Sequence, residues 1–186
     1  MLADDLIGLL DALDIPRAHF VGLSMGGMIG MTSVLRHPDR LEGLSLCDTT
    51  SRMPPEAAPL WEGRIKTAGE QGMEPLVEPT LQRWFTEPCY ASDKALMARV
   101  AQMIRSTPVA GYVGCCHAIP KINLTDRLRD IRCPVRVIVG EQDAGTPVAM
   151  SRAIAEAIPG AELVFIPSAS HLSNLEQPES FNRALV

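Results

Sequence analysis

Three residues of this chain have the types and the local settings to share one reaction. Ser24 lies in Gly22-Leu23-Ser24-Met25-Gly26, Asp143 in Gly140-Glu141-Gln142-Asp143, and His171 in Ser168-Ala169-Ser170-His171-Leu172. A serine hydroxyl is a weak nucleophile at neutral pH and needs a base. A histidine supplies that base, and a carboxylate fixes the imidazole tautomer and stabilises the imidazolium. The Gly-x-Ser-x-Gly pattern alone arises by chance in roughly one chain in twenty of this length. Its setting carries the weight, because Ala18 to Leu23 reads as a short buried strand and Met25 to Arg36 as the helix that follows. A serine at that corner is held out over the sheet edge beside the N–H groups of a helix start. The glycines permit the tight bend.

Each partner also has a structural reading. Asp143 could shape the loop before the next helix, and an isolated histidine is more often structural than chemical. Their places directly after strands favour chemistry, since functional side chains of an open parallel sheet gather at the carboxyl ends of its strands. Asp48, just past another strand, competes with Asp143 for the role of the acid. His19 and His37 read as local structural residues and His117 as a cap residue.

The elements that must position these groups follow in order along the chain. Leu2, Leu6, Leu9, Leu10 and Leu13 share one face at helical spacing, which predicts an amphipathic helix covering a sheet. Pro16 ends it, and His37-Pro38 stops the helix after Ser24. Leu41 to Asp48 reads as the second strand. Between Thr49 and about Asn123 prolines cluster and the helical periodicity is broken, which predicts an inserted set of short helices. Strands return at Val135 to Val139 and Ala161 to Ile166, separated by a helix from Pro147 to Ile158 with Thr146 as its expected N-cap. A terminal helix begins near Gln177. Strands alternating with helices predict a parallel sheet covered on both faces. The expected division is a discontinuous α/β core, 1–48 and 124–186, with a helical cap insertion at 49–123.

With 186 residues, 46% of them hydrophobic, the chain can bury a sizeable core. A net charge of −5 without long runs of one sign gives no basic face for nucleic acid. No apolar run reaches membrane-spanning length, and the start Met1-Leu2-Ala3-Asp4-Asp5 lacks the basic-then-apolar layout of a signal peptide. A cytoplasmic location follows as the expectation. The five cysteines match no zinc spacing, so free thiols are expected and no metal or cofactor is called for.

Gly-Leu-Ser-Met-Gly-Gly-Met-Ile-Gly at 22–30, Gly-Glu-Gln-Asp at 140–143 and Ala-Ser-His-Leu-Ser-Asn at 169–174 resemble the α/β-hydrolase superfamily. The order Ser24, Asp143, His171 is the order that architecture uses. Within it, Leu46-Cys47-Asp48-Thr49-Thr50-Ser51, Arg83-Trp84-Phe85-Thr86 and the stretch from Ile104 to Tyr112 resemble 3-oxoadipate enol-lactonases. The resemblance implies a lactone or ester as small-molecule substrate, opened through an acyl-enzyme, with the backbone N–H of Met25 as one oxyanion donor. It also implies a cation in the cap for an acidic substrate, for which Arg83 beside Trp84 is the candidate. A general carboxylesterase, a cofactor-free perhydrolase and a non-catalytic remnant of the fold are the competing expectations.

The resemblance covers the C-terminal two-thirds of such a lactonase. The early strands and the His-Gly loop that carries the second oxyanion donor have no counterpart, and the last residues resemble the interior of a final helix. The Ala18–Leu23 strand is therefore expected to form an open sheet edge. Either the sequence is a fragment or truncated gene model, or the protein forms a homo-oligomer or swaps elements to cover that edge.

Overall fold

The computed structural model describes residues Met1–Val186. Its sheet has four parallel strands in the order β1 (Ala18–Leu23), β2 (Leu41–Cys47), β3 (Val135–Gly140) and β4 (Glu162–Ile166). Parallel neighbours require crossovers, and helices supply them: α1 (Leu2–Ala12) precedes β1 and α2 (Met25–Arg36) joins β1 to β2. The chain then leaves the sheet for α3 (Ala58–Gln71), α4 (Glu74–Trp84), α5 (Glu87–Ser92), α6 (Lys94–Ser106) and α7 (Val109–Ala118). After β3 come α8 (Val148–Ala157), β4, the short α9 (Ser173–Glu176) and α10 (Pro178–Leu185).

The strands differ in burial according to their place. All but one residue of central β3 is buried, as its near-continuous apolar run Val135-Arg136-Val137-Ile138-Val139 requires. In β1 only Gly22 is buried, because β1 pairs with β2 alone and its outer edge is open. Val21 on that strand is 50% exposed.

One face of the sheet builds a core from Leu44, Leu46, Val135 and Val137 with Met31 and Val34 of α2 and Ile154 and Ile158 from α8 and its end. The other face holds a smaller cluster, Cys47, Ile138, Ile166, Ala169 and Phe181 of α10. The helices α3–α7 have a core of their own, centred on Leu76, Val77, Leu81, Met97, Val100 and Ile104. Three of their prolines mark beginnings: Pro59, Pro75 and Pro88 lie in first turns, where the missing N–H breaks no intrahelical bond, whereas Pro79 lies inside α4. The segment departs and returns side by side, with Met53 N–H donating to Ile122 O at 3.3 Å and Leu124 N–H to Ser51 O at 2.8 Å.

Two local expectations are corrected. The buried face of α1 is Ala3, Ile7 and Leu10, whereas Leu9 and Leu13 are exposed. The leucine stripe is wider than the contact because the main partner of α1 is α2, a narrow cylinder, and not the broad sheet. Thr146 is not the N-cap of α8, which starts at Val148 after Pro147. Its hydroxyl is taken by Asp143 instead. The five cysteines are free thiols, and no helix is long and apolar enough to cross a membrane.

Candidate active site

Because all four strands run the same way, the residues that follow them meet at one edge of the sheet. Ser24 follows β1 directly, in the left-handed region at φ 54° and ψ −116°. A non-glycine residue there is strained, and the surroundings must hold it. Ser24 N–H donates to Cys47 O at 2.8 Å, and Ser24 O accepts from Thr49 Oγ1 at 2.6 Å and from Gly27 N–H at 3.0 Å. Gly22 makes the bend sterically open, since a Cβ there would sit 2.4 Å from the carbonyl of Gly26. The Met25 N–H opens α2, where helix geometry leaves the first N–H groups without an intrahelical acceptor.

His171 lies in the loop after β4. Its Nε2 is 2.9 Å from Ser24 Oγ, and its Nδ1 is 2.9 and 3.1 Å from the two oxygens of Asp143. The carboxylate accepts the Nδ1 proton, which leaves the Nε2 lone pair facing the serine hydroxyl. Asp143 is 5% exposed and His171 4%, so the hydrogen bond between them is shielded from water. Asp143 also accepts from Gly145 N–H at 2.6 Å, Thr146 N–H at 2.9 Å and Thr146 Oγ1 at 2.8 Å. Burial pushes its pKa up, but the hydrogen bonds from His171 and Thr146 and the attraction of the imidazolium outweigh it, and the pKa ends below the usual carboxylate value. Sequence reasoning missed Thr146 in this role. The signal was its place three residues after Asp143, a spacing that lets a loop carboxylate bind the backbone ahead of it.

Asp48 is not the acid facing the imidazole. It lies at φ 45°, fully buried, and accepts from Gly140 N–H at 2.8 Å and from Ser173 Oγ. It thereby braces the ends of β3 and the histidine loop against each other. Burial pushes its pKa up to about 7, only partly opposed by those two hydrogen bonds, and the nearby Asp143 charge adds to the rise.

Between the helical segment and the histidine loop lies a cavity of about 610 Å³, walled by Leu23, Trp84, Val100, Met103, Ile104, Leu172 and Leu175, with Arg99, Thr107 and Asn174. Leu23 precedes the serine and Leu172 follows the histidine, so the cavity adjoins the site, although neither Ser24 nor His171 is itself part of its lining. Trp84 joins the cavity to the histidine, its ring 6.0 Å from the imidazole and tilted 31° to it. Asn174 Oδ1 is buried there without a partner. Arg99 of α6 is the only charged residue of the lining, a position that broken helical periodicity did not single out. Of the two substrate-side residues expected from sequence, Trp84 lines the cavity. Arg83 is half-buried and meets the histidine loop through its carbonyl, which accepts from Ser170 Oγ at 3.3 Å. No group of three histidine, cysteine or acidic side chains is arranged to hold a metal ion.

A sequence profile of the alpha/beta hydrolase family matches residues 2–184. The chain is 34% identical to 3-oxoadipate enol-lactonase 2 of Acinetobacter baylyi over 99% of its own length and 68% of that protein's. It thus spans about two-thirds of the length of that relative. The crystal structure of the enol-lactonase from Burkholderia xenovorans superposes with a TM-score of 0.93 at 36% identity, covering 98% of this chain and 69% of that one. A thermophilic esterase from Thermogutta terrifontis superposes with a TM-score of 0.92 at 33% identity, over 98% and 68% respectively.

Proposed function

This chain belongs to the alpha/beta hydrolase family, and from that membership we propose a serine hydrolase in which Ser24, His171 and Asp143 open a small, acid-bearing lactone. The observation that carries the reading is the continuous hydrogen-bonded chain Ser24 Oγ–His171 Nε2 and His171 Nδ1–Asp143, at 2.9 Å each, on three strand ends of one sheet. His171 takes the hydroxyl proton as Ser24 attacks the lactone carbonyl, and the Met25 N–H supports the oxyanion. Collapse breaks the ring C–O bond. The leaving enolate stays tethered to the acyl group, takes the proton from His171 and becomes the ketone. Water, deprotonated by His171, then attacks the acyl-enzyme and releases the oxo-diacid and the serine. A single oxyanion donor is typically worth roughly a hundredfold to a thousandfold in rate.

Two features support an acidic lactone, with 3-oxoadipate enol-lactone and hence aromatic-compound breakdown as the leading substrate and setting. The first is the similarity to two enol-lactonases at about one-third identity. The second is Arg99, a lone cation in an otherwise uncharged and mostly apolar lining. Arg83 remains the second cation to test. In this reading the helices of 49–123 act as the cap over the site. The comparable likeness to the thermophilic esterase favours a general ester hydrolase as the second reading.

A fluorophosphonate probe tests the core of the proposal: Ser24 is labelled in the wild-type chain and loses labelling in His171→Ala. Absence of labelling in the wild type would leave a fold without a working site. Substrate comparison separates the two readings, because a lactonase opens the enol-lactone far faster than 4-nitrophenyl acetate. Arg99→Gln is expected to raise KM for the acidic lactone about three- to tenfold while sparing the neutral ester. An equal response of both substrates would remove Arg99 as the reader of charge.

A further inference from the structure

The loop that carries His171, with the α9 turn behind it, is attached to the helical segment through three residue pairs. Leu172 N–H donates to Trp84 O at 3.2 Å, and the Ser170 hydroxyl is shared between Gln142 O at 3.2 Å and Arg83 O at 3.3 Å. The third runs through one side chain, Glu176 of α9, which also binds the histidine loop. Its Oε2 accepts from Ser170 N–H at 2.9 Å, the residue before the histidine. Its Oε1 accepts from Thr86 N–H at 3.1 Å and from the Thr86 hydroxyl. Thr86 is buried, follows the turn that carries Trp84 and is the N-cap of α5. A carboxylate whose two oxygens are occupied by groups from distant parts of the chain, Thr86 and Ser170, is a strut, because each charge-assisted hydrogen bond is stronger than a neutral one.

We propose that Glu176 is a positioning residue that locks the Trp84–Thr86 turn to the histidine loop, so that the cavity wall and the imidazole move as one body. A shift of the helical segment over the cavity is then transmitted to the Nε2–Oγ contact. The segment's own core reaches across in the same place, with Leu172 and Leu175 packed against the cluster that includes Leu81, Phe85 and Val100. Glu176 touches no reacting atom. Its effect on chemistry rests on reading His171 as the base, whereas the mechanical coupling stands independently.

The test is made from the far side of the strut. Thr86→Val removes the hydroxyl that binds Glu176 without touching the histidine loop, and Thr86→Ser restores it. Amide hydrogen exchange followed by mass spectrometry on the full chain should show residues 168–176 exchanging roughly tenfold faster in Thr86→Val, with β3 unchanged and Thr86→Ser like the wild type. In the same variants kcat for 4-nitrophenyl acetate should fall and recover in parallel, and Glu176→Gln should loosen both segments together. Faster exchange confined to residues 84–92, or spread equally into β3, would overturn the coupling. Should the wild type fail to turn over the ester, the exchange pattern still decides the coupling, and only the hydrolase reading is lost.

Discussion

The two halves of the candidate site are built in opposite ways. The acid–base half lies in loops after central β3 and its neighbour β4 and is buried, with Asp143 and His171 at 5% and 4% exposure. Around it Gly145, Thr146, Gly140 and Ser173 supply donors to two carboxylates. The nucleophile half stands on an edge strand whose residues are mostly exposed or half-buried. It is held by backbone geometry: a left-handed serine, a glycine bend and three hydrogen bonds to the Ser24 backbone named above. The contrast teaches where each kind of precision comes from. Positive charge that must appear on an imidazole needs a prearranged carboxylate in a dry setting, and donors hold that carboxylate in place. A hydroxyl that stays neutral until the base takes its proton needs a fixed direction toward that base.

The largest expected effect breaks the pair apart. Ser24→Ala should lower kcat about 10⁵-fold or more, and Asp143→Asn roughly 10³- to 10⁴-fold, because an amide presents the wrong partner to Nδ1. Both are read from steady-state rates with the enol-lactone or an aryl ester. If Asp143→Asn kept activity within tenfold, Asp48 would be serving as the acid and the two carboxylates would exchange roles in this comparison.

The two halves were not equally legible in the sequence. The nucleophile half depends on local pattern, strand then glycine-flanked serine then helix, and its elements match the expected Ala18–Leu23 and Met25–Arg36. The positions of Asp143 and His171 after strands were legible for the same reason. What holds them was not. Thr146 looked like a helix cap because cap signals are local, while the competing acceptor, Asp143, is chosen by the tertiary fold. The Thr86–Glu176 contact joins residues ninety apart, and no periodicity encodes it. The broken rhythm of 49–123 announced short helices but not which of their charges, Arg83 or Arg99, would line the cavity.

Gly22 sharpens the nucleophile side. A methyl group there would meet the Gly26 carbonyl at 2.4 Å and Gly27 N at 2.7 Å, both backbone atoms that cannot rotate away. Gly22→Ala should therefore destabilise by about 3 kcal/mol, near the upper end for overpacking, and lower the melting temperature by roughly 6–12 °C for a chain of this size. The same substitution at Gly26, where nothing lies within 4 Å of the added carbon, should leave the melting temperature nearly unchanged. Equal responses would mean that the bend is not the device that aims Ser24.

Asp48 sharpens the other side through pH. Its folded pKa is raised to about 7 from 3.8, chiefly by burial. Between those values the folded state holds a proton that the unfolded chain has released, so the folded state binds more protons and stability falls as pH rises. The favourable contribution is complete below pH 4 and lost by the time pH passes 7. Asp143 has the opposite sign: its lowered pKa stabilises the fold above its unfolded value and is lost in acid. Asp48→Asn keeps an oxygen for Gly140 N–H and removes the titration. Chemical denaturation at pH 5 and pH 7 should show the wild type losing on the order of 2 kcal/mol relative to Asp48→Asn across that interval. A parallel pH dependence in the two proteins would mean that Asp48 is already ionised at pH 5. The brace beneath His171 would then be a charged one, and the acid–base half would hold two buried negative charges in place of one.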